Sequence, residues 1–173
     1  PLNPMSPGVL HKSMIERIAP YTMTGVIWYQ GESDDHRPGM YYKLLSQMIR
    51  NWRDDWNDDE LFFVIGQLPM HRWEADPDFK NWCTIREAQA KTARTTAGTA
   101  LAVLTDCGEF SEIHPKDKKT PAHRFCLAAL NGCYQVQFVD GEEGQEGGFS
   151  TFNPEAYEVC WNSGSVDVFQ HTS

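Results

Sequence analysis

Three segments of this chain carry side chains suited to acid–base chemistry, and each of them follows an apolar run. They are residues 30–38, residues 69–81 and residues 106–115, and the third contains His114. A histidine beside a carboxylate can act as a general base, because the carboxylate orients the ring and stabilises the imidazolium ion. The chemistry that we expect is therefore proton transfer from an activated nucleophile.

Two acidic residues are candidates for the carboxylate that orients His114. Glu112 precedes the histidine by two residues, and Asp106 stands at the end of the preceding apolar run. We favour Glu112 and keep two alternatives, Asp106 and a backbone carbonyl group. A solvated loop histidine beside unrelated acids has the same sequence pattern, so the residues alone do not establish the pair.

A metal site is a second interpretation of these loops, since His36 and His71 lie in the first two, near Glu32 and Asp34. No pair of them has the i, i+4 spacing of a helical site or the close Cys/His spacing of a zinc site. We therefore expect no metal ion.

Two further side chains are candidates for the site. Arg86 lies close to the start of a predicted helix, where a cation opposes the helix dipole, so we expect another partner, such as the loop carboxylates, to hold it. Trp73 lies in the second loop and could offer its ring to a sugar. His123, in the last predicted helix, is expected at the surface.

The elements that must position these residues alternate between strand and helix. Strands are predicted at 24–29, 61–68 and 100–104, helices at 9–19, 40–52, 82–96 and 120–130, and a surface turn at 51–60. Strands joined by connections of helix length run parallel with right-handed crossovers. The three loops should then meet at the carboxyl edge of one sheet, where α/β proteins bind ligands. Three strands are few for such a domain, so we expect further strands upstream.

Composition narrows the function classes. The net charge of −9 argues against a nucleic-acid partner, because phosphate binding needs Lys and Arg. No apolar run is long enough to span a membrane, and the five Cys lack zinc spacing. The expected division is an α/β part over 1–133 and an acidic, Gly-rich tail over 134–173, with short strands considered at 136–139 and 166–169.

Three motifs, in this order along the chain, resemble the sialate O-acetylesterase family of the SGNH-type serine esterases. They are Trp-Tyr-Gln-Gly-Glu-Ser-Asp at 28–34, Ile-Arg-Glu-Ala-Gln at 85–89 and Ile-His-Pro-Lys-Asp-Lys at 113–118. The related acetylxylan esterases share the Gln-Gly-Glu-Ser element. The resemblance covers roughly residues 1–130, and it implies that residues 1–133 are the C-terminal part of an SGNH-type esterase domain.

The resemblance implies a fold, a reaction and roles for several residues. The fold is a flavodoxin-like α/β/α sandwich with a parallel sheet, and the reaction removes acetyl groups from sugars without a cofactor. His114 matches the catalytic histidine. Gln30 and Gly31 stand where the family supplies oxyanion or substrate contacts, and Glu32 is expected to orient their loop. The substrate class favours a secreted or periplasmic location, although the first residues show no signal peptide.

Two departures from the family pattern shape these expectations. The family nucleophile lies in a Gly-Gln-Ser-Asn type element, and no segment here matches it, so we expect the nucleophile upstream of Pro1 and this chain alone to be inactive. Ser33 is interpreted as part of the loop. The broader esterase class places its catalytic acid three residues before the histidine, as Asp-x-x-His. That position is Ser111 in this chain, and a serine cannot act as the acid. The alternatives are an acetylxylan-type esterase and a non-catalytic sugar-binding remnant.

Overall fold

Three strands and the helices between them form the part of the chain that the computed structural model describes, namely residues 3, 6–71 and 80–134. The elements in chain order are a π-helical turn (His11–Ile15), α1 (Glu16–Ile18), β1 (Gly25–Trp28), α2 (Tyr41–Trp56), β2 (Phe62–Gly66), α3 (Lys80–Thr95), β3 (Thr99–Ala102) and α4 (Lys119–Gly132). Single 3-10 turns occupy Glu32–Asp34 and Pro38–Met40. The alternation of strand and helix confirms the sequence prediction.

The three strands form one parallel sheet in the order β1-β2-β3. In the register, Ile27 lies opposite Val64, which in turn lies opposite Ala100. Because all strands run the same way, the loops that follow them leave from the same edge of the sheet. This edge is where the candidate residues were expected.

Helices cover both faces of the sheet, which gives the three layers of the predicted α/β/α fold. On one face, Phe63 and Ile65 pack against buried side chains of α2 and α3, including Ile49 and Ile85. On the opposite face, Val64 and neighbouring apolar residues pack against α4. A fully buried Ile or Phe stabilises the fold by about 2 kcal/mol, so these two clusters anchor the sheet that carries the loops.

The prediction of a surface turn over 51–60 is wrong for residues 51–56, because α2 continues to Trp56, and the turn is confined to residues 57–60. Trp52 and Trp56 are one helical turn apart and their ring centroids lie 5.8 Å from each other. The Trp56 indole also donates a hydrogen bond to the Tyr21 carbonyl oxygen at 2.8 Å. These contacts hold the last turn until Asn57, whose left-handed backbone (φ 50°) ends the helix.

His123 is a second correction, since it is 5% exposed rather than at the surface. The sheet-facing cluster includes Phe125 and Ala128 of α4. His123 lies on another side of this helix, since two residues correspond to a rotation of about 200°. Burial lowers the pKa of the imidazole. The apolar pattern of α4 therefore gave no sign that His123 is buried.

Three expectations concern residues outside the described part of the chain. They are Trp73, the strands considered at 136–139 and 166–169, and all of the acidic tail beyond Tyr134. Among the helices of the described residues, none is long and apolar enough to cross a membrane.

Candidate active site

Hydrogen bonds join the loops after the three strands to one another at the carboxyl edge of the sheet. The backbone N–H of Met70, after β2, donates to the carbonyl oxygen of Cys107, after β3, at 2.7 Å, and Met70 also forms a parallel bridge with Gly108. The loop after β1 is joined to the loop after β2 by the side chain of Gln89, which comes from α3. The edge is therefore one connected structure.

Gln89 makes its connection from inside the core, where it is fully buried. Its Oε1 accepts a hydrogen bond from the Leu68 N–H at 2.9 Å, and its Nε2 donates to the Gln30 carbonyl oxygen at 3.0 Å. The same carbonyl oxygen accepts a second bond from the Tyr41 hydroxyl at 2.7 Å. Burial raises the pKa of Tyr41 to about 12, so the hydroxyl remains a donor at neutral pH.

The loop after β1 holds Gln30 by its side chain as well. The Gln30 Nε2 donates to Asp34 at 2.7 Å. Its Oε1 lies 3.0 Å from the Tyr41 hydroxyl and shares the single proton of that hydroxyl with the Gln30 carbonyl oxygen. Glu32 opens the 3-10 turn that follows, and its charge adds to the burial that raises the pKa of Tyr29 to about 12. The Gln30 amide therefore takes part in shaping the loop.

Gly31 occupies a position that only glycine fits well. Its φ is 140°, and a Cβ atom there would lie 3.1 Å from Ile85 and 3.2 Å from both Gln89 and Tyr41. Non-glycine residues rarely adopt this backbone conformation. The close packing brings the backbone of the loop directly onto α2 and α3.

His114 lies in the loop after β3, between two anchored neighbours. Ile113 packs against the core cluster, and Pro115 is buried. The imidazole itself is 88% exposed, with its Nδ1 3.5 Å from Glu112 Oε1. The fold therefore fixes the backbone on both sides of the histidine and leaves the ring accessible.

Glu112 binds the backbone of His114 and lies close to its imidazole ring. Its Oε1 accepts a hydrogen bond from the His114 N–H at 2.9 Å. This bond, assisted by the nearby imidazole, holds the pKa of Glu112 below its usual value. The carboxylate thus stays ionised at neutral pH, as is needed to stabilise an imidazolium ion.

Asp106, the alternative acid, pairs with a different residue. Its two carboxylate oxygens accept hydrogen bonds from the Arg124 guanidinium, one of them at 2.6 Å. This partner lowers the pKa of Asp106 to about 2. Between the two candidate acids, the geometry favours Glu112 for the histidine.

Within the described residues, Arg86 binds backbone carbonyl groups rather than the loop carboxylates that were expected. Its Nε donates to the Leu68 carbonyl oxygen at 2.8 Å and its Nη2 to the Pro69 carbonyl oxygen at 2.6 Å. Both oxygens belong to the segment that leaves β2 and passes over the first half of α3. Arg86 therefore fixes the start of the second loop, and burial lowers its pKa.

The sequence did not indicate the roles of Gln89, Tyr41 and Arg124. For Gln89 a signal was present, because an amide stood among apolar residues on the inner face of α3. Tyr41 and Arg124 lie in ordinary helical patterns and carried none. Within residues 3, 6–71 and 80–134, no group of three His, Cys, Asp or Glu side chains could hold a metal ion.

Comparison with known proteins identifies the family. The family model described as "Carbohydrate esterase, sialic acid-specific acetylesterase" matches residues 5–114. The chain is similar to the sialate O-acetylesterases of Mus musculus (29% identity, 76% of this chain) and Homo sapiens (28%, 73%), and spans 27% of the length of each. It also resembles the structure of a carbohydrate acetylesterase from Xanthomonas citri, with 36% identity and a TM-score of 0.68 over 73% of this chain and 29% of that one. The chain belongs to the carbohydrate esterase family of sialic acid-specific acetylesterases.

Proposed function

We propose that the full-length protein removes O-acetyl groups from sugars, with O-acetylated sialic acid as the favoured substrate, by serine/histidine catalysis. The observation that carries this proposal is the accessible His114, paired with Glu112 in a loop that the core anchors on both sides. Membership of the esterase family supports the same reaction. The similarity of this chain to sialate O-acetylesterases supports the choice of sugar.

His114 would act twice in the reaction. It first takes the proton of a serine hydroxyl as the oxygen attacks the ester carbonyl carbon, and then gives that proton to the departing sugar oxygen. It next takes a proton from water, which attacks the acetyl-enzyme, and returns it to the serine as acetate leaves. In each half-reaction the negative oxygen of the tetrahedral intermediate needs hydrogen-bond donors. The loop at Gln30 and Gly31 is our candidate for one of them.

The serine nucleophile is proposed to come from sequence upstream of Pro1. Ser13 donates its hydroxyl to the Val9 carbonyl oxygen at 2.7 Å. It also lies near the opposite edge of the sheet, because the adjacent His11 bonds to Asp55 at the end of α2. Ser33 is exposed within the 3-10 turn after β1. Neither serine lies at a strand-to-helix elbow, the setting that exposes a nucleophile at a sheet edge.

The outer side of β1 supports an additional strand from the same domain. In the sheet of the described residues β1 pairs with β2 alone, and its Ile27 is 61% exposed. An apolar groove of about 320 Å³ lies over the same face of the sheet as Ile27, lined mainly by side chains from β1, β2 and α4, so this face is only partly covered. A parallel strand added at the unpaired edge of β1 would end at the same edge of the sheet as Gln30. Its following loop would then lie beside the candidate site.

Acetate release by the full-length protein tests the proposal. O-acetylated sialic acid, acetylated xylan fragments and p-nitrophenyl acetate are compared, and sugar binding is measured by calorimetry. We expect acetate release from O-acetylated sialic acid and from p-nitrophenyl acetate, with the highest kcat/KM on O-acetylated sialic acid. A higher kcat/KM on xylan fragments would identify acetylated xylan as the substrate. Sugar binding without acetate release would identify a non-catalytic module.

A further inference from the structure

Gln89 is a polar side chain at a fully buried position in the middle of α3. A buried amide is costly unless both its donor and its acceptor have partners. Both groups have them here, since Oε1 binds the Leu68 N–H and Nε2 binds the Gln30 carbonyl oxygen. These partners also settle the orientation of the amide, because an N–H requires an acceptor and a carbonyl requires a donor.

The bond to Gln30 fixes the peptide group that links Gln30 to Gly31. Its carbonyl oxygen accepts hydrogen bonds from Gln89 at 3.0 Å and from Tyr41 at 2.7 Å. The peptide is trans, as are all those in the described residues, and the C=O and N–H of a trans peptide point in opposite directions. The Gly31 N–H therefore points away from α2 and α3, toward the outer side of the loop.

Close packing keeps this peptide in place. A Cβ atom on Gly31 would lie 3.2 Å from the Gln89 Nε2 and 3.2 Å from the Tyr41 hydroxyl. The backbone is thus already in near contact with the two donors that bind its carbonyl oxygen. Loss of the Gln89 bond would leave the Tyr41 bond alone to define the orientation of the peptide.

We propose that Gln89 is a positioning residue of the esterase site, which holds the Gln30–Gly31 peptide so that the Gly31 N–H faces the oxyanion of the tetrahedral intermediate. This inference rests on the function proposed above. A donor that is already aimed stabilises the developing charge without reorganisation during the reaction. Gln89 does not touch the substrate and acts through the peptide that it holds.

Two substitutions separate this role from simple core packing. Gln89→Met keeps the approximate shape and removes both hydrogen bonds. In Gln89→Glu, the ionised carboxylate can still accept a hydrogen bond from the Leu68 N–H, but it places an oxygen without a proton against the Gln30 carbonyl oxygen. The neutral carboxylic acid can donate a hydrogen bond to that carbonyl oxygen again. Since burial raises the pKa of a carboxyl group, this variant regains its donor as the pH falls. Thr92→Val is the control, because the buried Thr92 hydroxyl bonds only within α3, to Ala88 at 2.9 Å.

The test measures kcat and KM for acetate release from O-acetylated sialic acid by the full-length protein, per mole of folded enzyme. Gln89→Met should lower kcat by about 10- to 100-fold, as for a misplaced oxyanion donor. KM should stay within about twofold, because the oxyanion contact forms only in the transition state. Thr92→Val should retain the wild-type kcat. For Gln89→Glu, kcat relative to wild type should rise severalfold from about pH 8 to about pH 5.5.

The outcomes separate failure of the inference from failure of the proposed function. An inactive wild-type protein contradicts the proposed function and removes the basis of the inference. An active wild type with unchanged kcat in folded Gln89→Met overturns the inference alone. If Gln89→Met does not fold, Gln89→Glu decides: a relative kcat that rises at lower pH supports positioning, and a ratio independent of pH overturns it.

Discussion

Arg124 donates hydrogen bonds to both carboxylate oxygens of Asp106 and so joins α4 to the loop that follows β3. A third bond, from Arg124 to the Val103 carbonyl oxygen at 2.8 Å, fixes the guanidinium at the end of the strand. Asp106 thereby has a structural partner of its own. The loop that carries His114 is fastened at its start by this pair.

Asp106→Asn should therefore preserve catalysis. We expect kcat/KM for acetate release to stay within about threefold of wild type, a difference of less than about 1 kcal/mol. The loss of stability should also be below about 1 kcal/mol, since the Asp106 side chain is 66% exposed and exposed ion pairs contribute little. A loss of activity as large as that of a His114 variant would restore Asp106 as the catalytic acid.

The contribution of Asp106 to stability should depend on pH in a defined window. Its folded-state pKa, about 2, lies below the value of about 3.9 in an unfolded chain. The stabilisation is present above the unfolded pKa and is lost as the pH falls toward 2. Urea unfolding should show a gap between wild type and Asp106→Asn above about pH 4 that closes below it. A gap that persists at the lowest pH would contradict this assignment.

Glu112→Gln removes a charge and keeps an acceptor for the His114 N–H, so the loop should retain its backbone hydrogen bond. We expect kcat to fall by about 10- to 100-fold, because the imidazolium ion loses its carboxylate partner. The fall should be smaller than in buried triads, because Glu112 is partly exposed to solvent. Thermal unfolding should change little. Glu109→Gln is the matched control, since Glu109 accepts only a backbone N–H, from Lys116 at 3.0 Å. Equal activity of the two variants would argue against Glu112 as the orienting acid.

Gly31→Ala should damage both stability and activity. Its φ of 140° is unfavourable for alanine, and the added carbon would lie 3.1 to 3.2 Å from three side chains. Such backbone strain costs about 1–3 kcal/mol, and the displaced peptide would misdirect its N–H. Gly39→Ala is the control in the same loop, because nothing lies within 4 Å of the added carbon there. Denaturant midpoints and kcat of both variants provide the comparison, and a fully active Gly31→Ala would contradict the role of this peptide.

The sequence predicted the alternation of elements because buried strands and amphipathic helices have different periods. Val64 and Ile65 belong to a continuous apolar run, which marks a strand covered on both faces. The end of α2 was missed because its last turn is mostly charged, and the contact between Trp56 and Tyr21 that holds it comes from another part of the chain. His123 was misplaced because it is buried on a side of α4 that lacks the apolar pattern, so that its burial depends on tertiary packing.

The location of the candidate site was predictable from the sequence, whereas the hydrogen-bond partners of its side chains were not. The order of strand and loop placed Gln30 and His114 at one edge of the sheet. The partners of Arg86 and Asp106 were not predictable, since backbone carbonyl groups and a distant arginine outcompete nearby charges through geometry that only packing defines. Gln89 was visible as a polar residue on an apolar face, and its two partners became evident only in the folded chain.

The central claim is that His114 is the general base of an acetylesterase. The most direct measurement is acetate release from O-acetylated sialic acid by the full-length protein and its His114→Ala variant, with His36→Ala as the control for an exposed loop histidine. We predict that His114→Ala lowers kcat by at least about 1,000-fold at unchanged thermal stability, while His36→Ala retains wild-type turnover. Unchanged turnover in His114→Ala would contradict the claim.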